Sequence, residues 1–343
     1  MGRLGARAVL AVALGAQVAS CGGPGKGSVT LAISTDMQTP KDLDLISVFI
    51  TTNGTPKLDY IGRVLPDGTV SLPSTLAIVE PDDPSAQVRI RVIAFQTQPD
   101  GSAKARVMRD VLTTVPHQRS VLLRVPLSFL DDGRSSGTLP ASLVPGHDGQ
   151  PEGDTTFDPL TVTSVCDFTR GETSVAGSCA SALLDSGGLP GYADGEVFGE
   201  GGTAQSPACF DVQSCFAQAA PVSNVDLTRC SFPVSPGEDG KDWNCALATT
   251  DGTGKCFGAT CLVPLESDPS LGFTVQPGVR VQMVAGVCKK LQAGASLVLN
   301  QRACATRTES TPVCQPTGAA PAVDAAAPEA GAADAAADGA LRP

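Results

Sequence analysis

Between residues 28 and 130 the apolar positions recur every second residue in short runs. Val121-Leu122-Leu123-Arg124-Val125-Pro126-Leu127-Ser128-Phe129 puts Leu123, Val125, Leu127 and Phe129 on one side of an extended chain, and Ile46-Ser47-Val48-Phe49-Ile50 repeats the pattern. Val88-Arg89-Ile90-Arg91-Val92-Ile93-Ala94-Phe95 alternates at first and then turns apolar on both faces, as a strand does on entering a sandwich core. Turn signals separate the runs: Asn53-Gly54, Pro66-Asp67-Gly68, Pro81-Asp82-Asp83-Pro84 and Pro99-Asp100-Gly101. This spacing predicts an all-β unit over 28–132, a Greek-key sandwich of immunoglobulin-like or transthyretin-like kind, with Ile90, Val92, Leu123, Val125 and Leu127 in its core. Pro126 cannot donate to a ladder, so its strand is expected at an edge.

Residues 133–160 are rich in Gly and Pro and read as a linker. Residues 161–316 read as a loop-rich β domain, with strand-like pieces at Ala259–Leu265, Val279–Val284 and Ser296–Leu299 and one short helix at Ala180–Leu184. From Ala319 to Ala340 thirteen of 22 residues are alanine, but Pro321, Pro328, Gly331 and Gly339 interrupt them. Residues 317–343 are therefore expected to be a disordered tail rather than a helix.

The start of the chain has its own pattern. Arg3 and Arg7 precede the apolar run Ala8–Ala16, and small residues follow at Ala19 and Ser20. This reads as an export signal over residues 1–20. A membrane-spanning helix would need about 20 apolar residues, and Gln17 and the glycines after Cys21 cut the run short. Ala6 stands where a myristoylation motif requires Ser or Thr. Val18-Ala19-Ser20-Cys21 resembles the lipobox of bacterial lipoproteins, and the resemblance implies cleavage before Cys21 and acylation of that residue. Several acyl chains hold a protein on a membrane where one does not. Residues 21–27 then form a lipidated, flexible tether. Gly22, rather than Asp, follows the cysteine, which by the sorting rule of Gram-negative lipoproteins implies the outer membrane.

Loss of the leader leaves 22 basic against 35 acidic residues, a net charge of −13. Nucleic acid and anionic lipid surfaces are poor partners for such a chain. Motifs for chemistry are sparse. Gly133-Arg134-Ser135-Ser136-Gly137 spells G-x-S-x-G, but Thr138-Leu139-Pro140 cannot open the helix that a nucleophile elbow requires, and the one later histidine is His147. His117 is expected in a turn between strands. Neither histidine is near a cysteine, and the closest cysteine pairs do not have zinc-site spacing. No cofactor or metal is expected.

Gly240-Lys241 and Gly254-Lys255 lack the remainder of a phosphate loop and read as surface turns. Asp82-Asp83, Asp131-Asp132 and the group Glu238, Asp239 and Asp242 lack the calcium-loop register and read as solvated loops. Asn53-Gly54-Thr55 is a sequon in letters but a hairpin turn in mechanics. Trp243, the sole tryptophan, offers little for sugar stacking.

VLPDGTVSLPSTLAIVEPDDPSAQVRIRVIAFQ, RDVLTTVPHQRSVLLRVPLSFLDDG and the pattern CFDVQSCF with GVCKK and PVCQP far downstream are similar to uncharacterised cysteine-rich predicted lipoproteins of myxobacterial type. The similarity covers most of the chain after the leader and implies no activity.

Twelve cysteines less Cys21 leave eleven, too many by one for complete pairing. Proximity favours Cys209 with Cys215 and Cys256 with Cys261, then Cys166 with Cys179, Cys230 with Cys245 and Cys288 with Cys304, leaving Cys314 unpaired. The expectation from sequence is a non-enzymatic contact or scaffolding module of the cell envelope. It would be held at the membrane through Cys21, its partner an envelope protein or surface material; the alternative is an extracytoplasmic hydrolase.

Overall fold

The computed structural model describes residues 25–64, 70–146, 157–203, 205–236 and 238–315. The leader, Cys21, Pro66-Asp67-Gly68, His147 and the tail at 317–343 lie outside the described residues.

Seven strands build the first unit: β1 (Ser28–Thr35), β2 (Leu45–Thr52), β3 (Thr55–Arg63), β4 (Ser74–Val79), β5 (Val88–Thr97), β6 (Ala103–Thr113) and β7 (Ser120–Leu127). Two short strands follow, β8 (Ser135–Ser136) and β9 (Thr138–Leu139). One sheet runs β4-β1-β7, with β1 and β7 parallel, and the other runs β3-β2-β5-β6-β9. An immunoglobulin sandwich keeps its first two strands in one sheet. Here β1 and β2 lie in different sheets, so the order is not the immunoglobulin one.

The facing sides carry Val29, Leu31 and Ile33 of β1, Leu123, Val125 and Leu127 of β7, Ile46 and Val48 of β2, and Ile90 and Val92 of β5, all buried. The five residues expected in the core are there. Pro126 lies on β7, which pairs with β1 on one side and is the edge strand of its sheet. Asn53 and Gly54, with φ of 47° and 79°, make the β2–β3 hairpin turn that the Asn-Gly pair favours.

Both faces of β5 are buried because the chain downstream covers the outside of its sheet. Leu45, Ile93, Phe95 and Met108 pack beneath Leu139, Leu143, Val144 and Val162. Arg91 is caught under the same cover. Its guanidinium grips Asp110 of β6 at 2.9 and 3.0 Å and donates to the carbonyls of Pro159 and Val162. The segment read as a linker is thus folded over 135–144: β9 joins β6, and its apolar side chains complete a small core. Gly and Pro content marked turns here, not an absence of structure.

The cysteine-rich unit continues with β10 (Thr163–Ser164), β11 (Glu172–Val175), β12 (Ser178–Ser181), α1 (Val212–Phe216), β13 (Ala220–Pro221), β14 (Ser231–Pro233), β15 (Trp243–Thr249), β16 (Lys255–Phe257), β17 (Thr260–Pro264), β18 (Phe273–Gln276), β19 (Arg280–Met283), α2 (Ala285–Gln292) and β20 (Ser296–Gln301). Its two larger sheets run β13-β20-β15-β17-β16 and β14-β19-β18. The three expected strands are β17, β19 and β20. The expected helix at Ala180–Leu184 is absent: Ala180 and Ser181 belong to β12, and Ala182 and Leu184 donate backbone hydrogen bonds to Gly171 and Leu112. The strand pairing satisfies backbone groups that a single isolated turn of helix would leave open.

The two units share one core. Val29, Leu127 and Leu130 belong to the same buried cluster as Phe232, Trp243, Leu247, Val263, Phe273 and Val287. Trp243, 3% exposed, is a core residue and not a surface platform.

Candidate functional site

The chemistry-bearing side chains gather where the far ends of β1 and β7 meet the cysteine-rich unit. Asp131, expected in a solvated loop, is 4% exposed. Its carboxylate accepts the Ser174 hydroxyl at 2.6 Å and the backbone N–H groups of Gly177 and Ala176 at 2.8 and 3.1 Å. Three donors from a tight turn converge on one carboxylate, which compensates its desolvation. Its neighbour Asp132 takes two 2.6 Å hydrogen bonds from Arg106 of β6, which also donates to the Asp42 carbonyl and the Thr253 hydroxyl. The reading of this pair as solvated missed the partners, which arrive from 26 to 46 residues away.

Asp36 lies beside them. It accepts from the Ser128 hydroxyl at 2.8 Å and the Phe129 N–H at 2.7 Å. Burial pushes its carboxyl up to about 6, against the pull of Arg307 and of those two hydrogen bonds. Arg307, 3% exposed, donates to Glu266 at 3.1 Å and to the carbonyls of Pro264 and Thr311. Asp36, Arg109, Asp131 and Glu266 line one cavity of about 10 Å³. Arg109 Nε and Glu266 Oε2 have no hydrogen-bond partner among the described residues. A space of that size takes one water and no organic substrate.

A wider cleft of about 950 Å³ opens between the units, lined by Lys41, Asp42, Gln96, Lys104, Arg106, Asp132, Ser135 and Thr253. Ser135, the serine of G-x-S-x-G, lies in β8, and its Oγ is buried without a hydrogen-bond partner among the described residues. An activated serine needs a base within hydrogen-bond reach. The acidic groups around it are engaged elsewhere: Asp132 on Arg106, and Asp42 on Lys41 and on the N–H groups of Gln38 and Gly254. His117, in the turn between β6 and β7, bonds through Nδ1 to Glu80 at 2.7 Å. Among the described residues no group of three or more His, Cys, Asp or Glu is placed to hold a metal ion.

Gly254 departs from its reading as a plain surface turn. Its φ is 97°, a Cβ there would come 2.4 Å from the Leu262 carbonyl oxygen, and its N–H donates to Asp42 at 2.7 Å. Only glycine suits that backbone.

The disulfides are Cys166–Cys179, Cys209–Cys314, Cys215–Cys304, Cys230–Cys288 and Cys256–Cys261. The first and last are the pairs proximity favours; Cys256 and Cys261 stand opposite each other in the β16–β17 hairpin. The other three expected pairs do not form. Phe210 makes a parallel bridge with Val313 and Cys314 N–H donates to Phe210, which sets Cys209 and Cys314 side by side with Cα atoms 4.9 Å apart. Cys215 is carried into α1, against β20, whose Asn300 donates to its carbonyl at 2.6 Å, and it meets Cys304 just beyond that strand. Cys230 precedes β14 and meets Cys288 of α2, because β14 pairs with β19 and α2 follows directly.

Cys314 is therefore not the unpaired residue. Among the described cysteines that is Cys245, wholly buried in β15 between β17 and β20, its thiol pushed up by burial in apolar surroundings. Its core-facing place in an apolar strand was the signal that could have marked it.

Compared with models of known protein families, with curated proteins and with solved structures, the chain matches none.

Proposed function

We propose that this protein is an outer-membrane lipoprotein of the cell envelope, anchored through acylated Cys21, that serves as a non-enzymatic contact or scaffolding module. The observation that carries the reading is the Val18-Ala19-Ser20-Cys21 sequence, with its apolar leader, a few residues ahead of an all-β body stapled by five disulfides. Disulfides on this scale belong to an oxidising compartment outside the cytoplasm. The carboxylates of Asp42, Asp131 and Asp132 at the junction are engaged by Lys41, Ser174, Arg106 and backbone N–H groups, as befits a rigid body that presents surface. Its acidic charge favours a partner with a basic face over nucleic acid.

The test is Cys21→Ala expressed in a Gram-negative host fed a radiolabelled fatty acid. The expected result is a folded variant in the soluble envelope fraction without acyl label. Unchanged membrane retention, or wild-type protein that takes up no label, overturns the reading.

A further inference from the structure

The two ends of β1 face different surroundings. At its start, Gly27 N–H donates to Glu80 at 2.8 Å, Ser28 N–H donates to the Arg119 carbonyl, and Lys26 pairs with Asp82. β7 runs parallel to β1 and β4 runs antiparallel to both, so the loops at 80–87 and 114–119 lie at this same end. The Asn53-Gly54 turn lies there too, because Asn53 N–H donates to Gln87.

β1 has eight residues, which at about 3.3 Å per residue carry the chain roughly 23 Å to the other end of the sandwich. There Asp36, Thr39, Asp42, Asp131 and Asp132 receive the cysteine-rich unit. Gln315 accepts from Thr39 N–H at 2.9 Å, Gly254 N–H donates to Asp42, Gly177 N–H donates to Asp131, and Lys290 donates to the Asp132 carbonyl. A strap at 182–198 runs along the β6 and β7 side, bonded to Leu112, Leu122 and Arg124 and, toward the tether end, to Thr114, Arg119 and Ser120. The chain enters the sandwich at one end, and both the body of the cysteine-rich unit and residue 315 sit at the opposite end.

We infer that the sandwich is a stalk standing on its tether, and that the cysteine-rich unit is a head it holds away from the anchoring surface. The inference rests on the reading of Cys21 as the anchor. The shared core and the hydrogen bonds at Asp42, Asp131 and Asp132 make stalk and head one rigid piece, so a short tether at Gly27 sets which end is near the membrane even while the body tilts. The loops at 80–87 and 114–119 then face the lipid.

The test supplies the anchor chemically, which separates it from the question of acylation in the cell. The chain from Cys21 onward, with its disulfides formed and Cys245 buried, is coupled through the Cys21 thiol to maleimide lipid in phosphatidylcholine vesicles that carry a membrane-bound acceptor dye. A donor dye is attached through an azido amino acid placed, one at a time, at Asp83 beside the tether, at Asp100 in the β5–β6 turn at the far end of the sandwich, or at Ser270 in the head. The expected result is a donor lifetime shortened most at Asp83 and less at both Asp100 and Ser270. Equal shortening at all three positions, or the greatest at Asp100 or Ser270, overturns the inference. Cys21 acylation in cells is read by the fatty-acid label and stands or falls on its own.

Discussion

The Asp131 carboxylate accepts the Ser174 hydroxyl at 2.6 Å across 43 residues of sequence, joining the last turn of the sandwich to the first hairpin of the cysteine-rich unit. With Gly177 and Ala176 N–H on the same carboxylate, Asp131→Ala strands three buried donors. Each unpaired donor costs about 1–3 kcal/mol, so a loss of at least about 3 kcal/mol is expected in denaturant unfolding monitored by Trp243 fluorescence. An unchanged midpoint would show that the junction is not cooperative with the core.

Asp36 makes stability depend on pH. Its carboxyl is raised from its ordinary 3.8 to about 6 by burial, while Arg307, Phe129 N–H and Ser128 pull it down and Glu266 pushes it up. The folded protein therefore holds a proton on Asp36 that the unfolded chain has released between those two values. The contribution is full below pH 3.8 and is lost as pH rises through about 6. A shift of this size corresponds to about 3 kcal/mol. Wild-type unfolding free energy is expected to fall by that order between pH 4 and 7, and Asp36→Asn should remove this component. Identical pH profiles for the two proteins would contradict it.

The disulfides differ in the loops they close. Cys209–Cys314 spans 105 residues and Cys256–Cys261 spans 5. Cys215–Cys304 lies inside the longer loop and shortens what Cys209–Cys314 closes to about 17 residues, for which chain entropy assigns about 3 kcal/mol, against about 2 kcal/mol for the shorter loop. The double variant Cys209→Ser with Cys314→Ser is accordingly expected to melt below Cys256→Ser with Cys261→Ser. The reverse order would mean that native-state contacts, not loop closure, set the ranking.

Cys245 should resist iodoacetamide in the native protein and react stoichiometrically once the chain is unfolded without reductant, because its thiol is buried and held protonated. Peptide mapping under non-reducing conditions reads this directly. Native labelling of Cys314 in place of Cys245 would reverse the assignment.

Ser135 Oγ makes no hydrogen bond among the described residues. Ser135→Ala is thus expected to melt within about 0.5 kcal/mol of wild type or slightly above it, since removing a buried, unpaired hydroxyl strands no partner. A large loss would show that the hydroxyl is engaged.

Much of the stalk was legible from sequence. Period-two alternation in β2, β5 and β7, the Asn53-Gly54 turn and the edge placement of Pro126 follow from backbone geometry acting over a few residues, and such signals are written locally. What the sequence left open is long-range. Whether β1 pairs with β7 or with β2, and so which sandwich forms, depends on how the two sheets close over one core.

Proximity succeeded for Cys166–Cys179 and Cys256–Cys261 and failed for Cys209, Cys215 and Cys230. Loop closure costs only slowly more as loops lengthen, so the strand pairings that bring distant cysteines together outweigh nearness along the chain. For the same reason Asp131 and Asp132 read as solvated carboxylates and no local signal singles out Asp36. A charge is buried only if its partners arrive, and here Arg307, Ser174 and Arg106 arrive through the tertiary fold alone.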